Sequence, residues 1–359
     1  MKNKLTVGSD QKSALQAKFD AQKIVFGPIM FQAARALRDL GILEVISGSK
    51  KEGIGMEEIA RRLDLSLYGV KVLLEAGLSM ELVMVREDLF RLTKTGWHIL
   101  RDPLTRVNMD FTHDVNYLGM FSLDESVREG KPTGLRTLGG WNTIYEGLSQ
   151  LPGKSKDSWF AFDHYYSDFS FGEILPMVLT PGICQVLDVG GNTGKFAIQC
   201  ALYRGDVRVT ILDLPGQLEM AEKNIGEHGL GDRIRCLPMN LLDHARPFPK
   251  GMDVIWMSQF LDCFSKKDIG ELLRRSREAM GPDSRLFIME LFWDMQRFEA
   301  STYSLHATSL YFTNIANGCS QMYHSGDMRE LIEEAGLIVE ETYEDIGVSH
   351  TLLKCRKRS

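Results

Sequence analysis

The chain has 359 residues, more than one domain usually holds, so two domains are expected. Lys and Arg total 42 against 48 Asp and Glu, and the formal charge of −6 gives no electrostatic reason to favour nucleic acid or an anionic membrane. Apolar residues make up 44% and charged ones 25%, as in an ordinary soluble globular enzyme. The N-terminus, MKNKLTVGSDQKSALQAKFD, has no apolar h-region, and no run reaches 18 apolar residues. The six cysteines (Cys184, Cys200, Cys236, Cys263, Cys319 and Cys355) are scattered, without CxxC pairs or metal-like spacing to His. They read as reduced thiols of a cytoplasmic protein, and no metal site is expected.

From Phe19 to Ile46 apolar residues recur at helical spacing, with Pro28 expected to split a lead-in turn from a longer amphipathic helix. Two short helices follow, Met56–Leu65 and Ser66–Leu78, the second capped by Ser66. Extended runs at Leu82–Arg86 and Leu89–Leu92 flank a polar turn at Glu87-Asp88. Helix, turn, helix and β-wing describe a winged helix. Its second helix offers only Lys71 as a cation, offset by Glu75, and Lys50–Arg101 carries nine Lys/Arg against eight Asp/Glu, a difference of +1. A groove-reading element should be basic, so DNA binding is the weaker reading and a homodimer surface the stronger one. Residues 106–180 read as a helical, aromatic-rich connector, with Leu151–Lys156 an exposed loop.

After Pro181-Gly182, strand-like runs at 185–190, 207–214, 233–239, 252–258 and 284–291 alternate with helical runs at 195–203, 216–229 and 266–280. A helix from Ser325, capped by that residue, precedes two extended runs around Val339–Tyr343 and His350–Cys355. The fold class is therefore α/β: a doubly wound sheet ending in an antiparallel hairpin, preceded by a mostly helical domain. The expected divisions are 1–105, 106–180 and 181–359.

Ligands of such a sheet bind beyond the carboxyl ends of its strands. The loop after the first of these strands reads Asp188-Val189-Gly190-Gly191-Asn192-Thr193-Gly194-Lys195. Only three residues separate Gly190 from Gly194-Lys195 and Phe196 follows, so it is not a phosphate-cradling GxxxxGK[ST] loop. The GxGxxG dinucleotide spacing is also absent. What remains, acidic-x-Gly-x-x-x-Gly, matches the S-adenosylmethionine loop of class I methyltransferases. Asn192 is among the few residue types that tolerate positive φ. Asp213, 19 residues past Gly194, ends the second strand where a carboxylate can accept both ribose hydroxyls.

The whole chain resembles the small-molecule O-methyltransferases of plants and bacteria, in which a winged-helix dimerisation domain precedes the catalytic domain. The resemblance rests on VLDVGGNTG (186–194), ILDLPGQLEMA (211–221), MSQFLDCFS (257–265), RLFIMEL (285–291) and LIEEAGL (331–337). It implies S-adenosylmethionine as cofactor, a homodimer, and a small aromatic acceptor. It adds Leu214, Asn240, Leu241 and Ser258 as cofactor contacts, Asn240 standing where the family usually has Asp against adenine. The departure is at the base. Where members carry Leu-His-Asp-Trp, this chain has Leu261-Asp262-Cys263-Phe264.

Magnitudes show the consequence. Moving a phenol proton (pKa about 10) to an ordinary His is uphill by roughly 5 kcal/mol, and to an ordinary Asp by roughly 8. Asp262 therefore needs a carboxyl pKa raised by burial to serve as base. Other candidates are His306 and His164, in segments that line the family's acceptor pocket, and Glu290, which ends the fifth strand and can hydrogen-bond the acceptor or a catalytic His. Aromatic residues and a methionine (Trp159, Phe160, Tyr165, Tyr166, Phe260, Phe264, Trp293, Tyr311, Phe312 and Met322) favour a flat acceptor. Carbon methylation and non-methylating chemistry (decarboxylation, hydroxylation or cyclisation) remain open at this stage, as does a winged-helix regulator.

Overall fold

A computed structural model describes residues 10–358. Residues 1–9 of the N-terminal stretch without an apolar h-region lie outside them. Two compact units meet in sequence at Thr112 and His113. From His113 onward, the helical stretch expected as a connector belongs to the second unit.

In the first unit a single helix runs from Ala14 to Asp39, straight through Pro28. The expected break is absent. Pro28 leaves the Ile24 carbonyl without its N–H donor, and Ile24 is 79% exposed, so water can satisfy that carbonyl. Helices Ile42–Gly48, Met56–Leu63 and Leu67–Ser79 follow, and the Ser66 hydroxyl caps the last by accepting from the Gly69 N–H at 3.0 Å. Strands β1 (Val83–Arg86) and β2 (Leu89–Leu92) form the wing. Glu87 and Asp88 both take positive φ, as a two-residue hairpin turn requires. Leu37, Ile42, Leu43, Ile59, Val70, Leu74 and Phe90 fill its core. Lys71 and Glu75 lie 3.9 Å apart on an exposed face, while Leu15, Val25, Phe26 and Ile29 leave a long apolar stripe in water.

The second unit carries seven strands: β3 (Gln185–Val189), β4 (Arg208–Asp213), β5 (Ile234–Pro238), β6 (Val254–Ser258), β7 (Arg285–Glu290), β8 (Leu337–Ile346) and β9 (His350–Lys357). Their order is β5-β4-β3-β6-β7-β9-β8, parallel except where β9 pairs antiparallel with β7 and β8. Successive residues point to opposite faces, so one short strand feeds two cores. Along β6, Ile255 and Met257 pack under helices Lys266–Ala279 and Ser325–Glu334 through Leu272, Leu273 and Ile332. Val254 and Trp256 pack under helices Phe171–Val178, Lys195–Tyr203 and Pro215–Glu227, with Trp256 stacked on Phe196 at 4.3 Å. The chain adds strands outward in one direction from β3 to β5 and in the other from β6, so the strand order reverses between the parallel neighbours β3 and β6. That is the switch point of the sheet, where a ligand crevice opens.

Two local expectations change. A helix from Gly153 to Asp168 begins inside the stretch read as a loop at Leu151–Lys156. Its Gly-Lys composition belongs to an exposed first turn, anchored where the Ser155 hydroxyl donates to the Asp114 carbonyl at 2.7 Å. The cap of the Ser325 helix is His324, whose Nδ1 accepts from the Gly326 N–H at 2.9 Å. All six cysteines are free thiols, and no described helix is long and apolar enough to cross a membrane.

Candidate active site

The carboxyl ends of β3 and β4 bring the glycine loop and Asp213 together. Gly190 has φ +76°, and a Cβ there would fall 2.2 Å from the Phe260 ring. A Cβ on Gly191 would fall 2.7 Å from Asp188 Oδ2. The bare backbone therefore lies directly over the Asp188 carboxylate, which no side chain at 191 could permit. Asn192 adopts φ +48°, the conformation its side chain tolerates. Its backbone N–H donates to Asp213 Oδ2 at 2.8 Å, while the Leu214 N–H donates to Asp213 Oδ1 at 2.7 Å. The Gly194 N–H closes the loop on the Gly191 carbonyl at 2.8 Å, just before helix Lys195–Tyr203.

Burial governs the charges. Asp188 is 2% exposed, and burial with the nearby Asp213 charge pushes its carboxyl up to about 8. Burial also raises Asp213, to about 6, against the two N–H donors that favour its ionised form. Among the described residues, Asp188 Oδ2, Asn192 Oδ1 and Gln259 Oε1 are buried acceptors without partners. Gln259 follows β6 with φ +46° and its N–H on the Met289 carbonyl at 2.9 Å. S-adenosylmethionine is rich in donors: two ribose hydroxyls, an ammonium and an adenine amine. A glycine-floored cradle edged by unpaired acceptors fits such a ligand.

The other expected contacts differ in placement. Ser258 ends β6 and is partly buried. Asn240 is exposed, and its Oδ1 accepts from the Leu242 N–H at 3.1 Å. Leu241 packs into the core, its carbonyl taking the Arg275 guanidinium at 2.7 Å.

Beyond β6, a single helical turn at Leu261–Cys263 carries Asp262, 7% exposed. Glu290, at the end of β7 and 2% exposed, pins that turn: its Oε1 accepts the N–H groups of Phe260 (3.0 Å) and Leu261 (2.7 Å). The Cys263 thiol donates to Asp262 Oδ1 at 3.4 Å. Burial raises both acids, Glu290 well above the carboxylate range and Asp262 to about 6.

His164 sits beside the loop, Nε2 3.4 Å from the Thr193 hydroxyl. Burial, with Lys195 adding, lowers it to about 4, so it is neutral at pH 7. His306 lies exposed on helix Glu299–Tyr311, its ring 5.0 Å from Trp293, whereas Asp262 is buried. Spacing gave no sign of Asp163, whose Oδ2 accepts the Asn192 side-chain amide at 3.0 Å and which feels the Asp262 charge. Nor did it single out the Tyr145 hydroxyl, buried without a hydrogen-bond partner among the described residues, or the buried bond from Trp159 Nε1 to the Tyr311 hydroxyl at 2.8 Å. Tyr145 and Asp163 lie 117 and 99 residues from Asp262 in sequence, and only folding joins them.

Comparison with known proteins agrees with this architecture. Residues 18–90 match the Dimerisation2-like domain and residues 163–338 the O-methyltransferase domain. The chain is 25% identical over 318 residues to an L-tyrosine C(3)-methyltransferase of Streptomyces lavendulae, covering 87% of this chain and 85% of the relative. It is 25% identical over 320 residues to the mitomycin biosynthesis 6-O-methyltransferase of the same organism, covering 86% of each. The solved apo structure of the S-adenosylmethionine-dependent methyltransferase SibL superposes with a TM-score of 0.71 at 25% identity, covering 95% of this chain and 99% of that one. The chain belongs to the S-adenosylmethionine-dependent O-methyltransferase family of plant and bacterial type, with its dimerisation domain before the catalytic domain.

Proposed function

We propose that this methyltransferase acts on a hydroxyl of a small aromatic acceptor, with Asp262 as the proton acceptor. The observation that carries the reading is the buried Asp262 carboxyl on a turn fixed by Glu290. When bound, S-adenosylmethionine supplies an electrophilic methyl group. Asp213 would accept the ribose hydroxyls, and Asp188, Asn192 and Gln259 offer acceptors for the remaining donors. At Asp262, Oδ1 already accepts the Cys263 thiol, which leaves Oδ2 to take the acceptor's proton. With the Asp262 carboxyl at about 6, transfer from a phenol is uphill by ~5 kcal/mol. That matches an ordinary His and recovers roughly 3 kcal/mol against an ordinary Asp. Trp159, Tyr311 and Phe264 give aromatic surface around the reacting group, where exclusion of water strengthens positioning. The relative named as a C(3)-methyltransferase favours a second reading, transfer to ring carbon, for which ionising the hydroxyl is equally useful.

We further propose a homodimer through the first unit. Its exposed stripe of Leu15, Val25, Phe26 and Ile29 and its match to a dimerisation domain support this.

Four outcomes are expected. Asp213→Ala weakens S-adenosylmethionine by ten- to a hundredfold in calorimetry, the worth of charge-assisted hydrogen bonds; unchanged affinity would remove Asp213 from the site. Asp262→Asn lowers kcat/KM for a phenolic acceptor by about 10²–10⁴, measured as S-adenosylhomocysteine release. The wild-type profile rises with pH through a limb near 6, as the raised carboxyl ionises, and this limb is missing in the variant. Full activity in Asp262→Asn would sink the base assignment, and product NMR distinguishes oxygen from carbon methylation. Light scattering should show a dimer that Val25→Glu with Ile29→Glu dissociates; a wild-type monomer would contradict the interface.

A further inference from the structure

The order of the strands restricts how a nucleoside can lie along their carboxyl ends. With the ribose hydroxyls on Asp213, at the end of β4, the methyl group must travel toward Asp262, on the turn beyond β6. That path crosses β3 and β6. A ribose carries its sulfonium arm and its base on the carbons either side of the ring oxygen, so the two leave in different directions. The base therefore points the other way, toward the edge strand β5. There the Met239 N–H donates to the Asp213 carbonyl at 2.9 Å, and the next residue is Asn240, exposed at the carboxyl edge.

The loop that carries Asn240 is braced from behind. Arg275, 4% exposed, donates through Nη1 to the Leu241 carbonyl at 2.7 Å and through Nη2 to Met239 Sδ at 3.4 Å, with its guanidinium 4.2 Å from the centre of the Phe248 ring. One side chain thus grips the residues on both sides of Asn240. Within the loop, the Asn240 carbonyl accepts the Asp243 N–H at 3.0 Å, and its Oδ1 accepts the Leu242 N–H at 3.1 Å. A backbone N–H pairs only with the amide oxygen, which sets the orientation of this side chain. Oδ1 is turned onto its own loop, and Nδ2, a donor only, is presented to a ligand. Adenine offers ring nitrogens that accept and a 6-amino group that donates. We infer that Asn240 reads the cofactor's base by donating to a ring nitrogen, so that the 6-amino group is dispensable for binding. This deepens the S-adenosylmethionine reading and rests on Asp213 holding the ribose. Because β5 is the edge strand and Asn240 is exposed, the unread amine can stay in water.

The test compares S-adenosylhomocysteine with its 6-desamino analogue, which carries unsubstituted purine in place of adenine, by calorimetry on the full-length protein. The wild type should bind the two within about threefold of each other, since both keep the ring nitrogens. Asn240→Asp retains an oxygen for the Leu242 N–H, so the turn of the loop is kept, but it presents an acceptor where the amide presents a donor. That variant should prefer S-adenosylhomocysteine by about tenfold, the worth of a charge-assisted hydrogen bond from the 6-amino group. The ratio of the two affinities is blind to uniform damage, which a merely structural role of Asn240 would cause. A wild-type preference for the amino compound beyond about threefold would overturn the inference, because the 6-amino group would then be read. A preference in Asn240→Asp no larger than that of the wild type would overturn it too, by removing residue 240 from the base. A wild type that binds neither ligand would overturn the cofactor reading itself, and this inference with it.

Discussion

Burial of carboxylates at one edge of a parallel sheet is the constraint on which this molecule's chemistry depends. Asp188, Asp213 and Glu290 stand at the carboxyl ends of β3, β4 and β7, and Asp262 on the turn that follows β6. These four strands are adjacent in the sheet. Each acid is lifted above its ordinary pKa by loss of water. Backbone N–H groups offset part of the cost: two reach Asp213 and two reach Glu290. What they leave uncompensated is the attraction for donor-rich and cationic ligands.

The division of labour follows from which acid has which donors. Asp213 keeps its charge through the loop N–H groups and faces the cofactor cradle. Glu290 is committed to the backbone of the Phe260–Leu261 turn, and in the proposed reading it serves by holding Asp262 in position. Asp262 has a weak thiol donor and little else, and it is left the most responsive to an incoming hydroxyl. A residue type that looks wrong for a base in water becomes a reasonable one in this setting.

The sheet, its helices and the cofactor loop were legible in the sequence because local rules set them. Apolar runs defined the strands, and the glycines with Asn192 announced a sharply turning loop, which the structure lays over Asp188. The helix at Lys195–Tyr203 and the wing strand at Leu89–Leu92 fall where periodicity puts them. Pro28 misled because a proline's cost depends on solvent access to the freed carbonyl, which no local pattern encodes. The Leu151–Lys156 stretch misled because an exposed first helical turn shares the composition of a loop. The acceptor side was least legible. Asp163 and Tyr145 owe their roles to long-range packing around Asp262, and His306, attractive by segment, is exposed beside Trp293.

The central claim is that burial makes Asp262 a usable base. Infrared difference titration measures it most directly: the protonated-carboxyl band of the wild-type complex with S-adenosylhomocysteine, minus that of Asp262→Asn. The account predicts one carboxyl that loses its proton with a midpoint near 6. A midpoint in the ordinary aspartate range, about 4, would contradict it, as would a band that persists unchanged into alkaline solution.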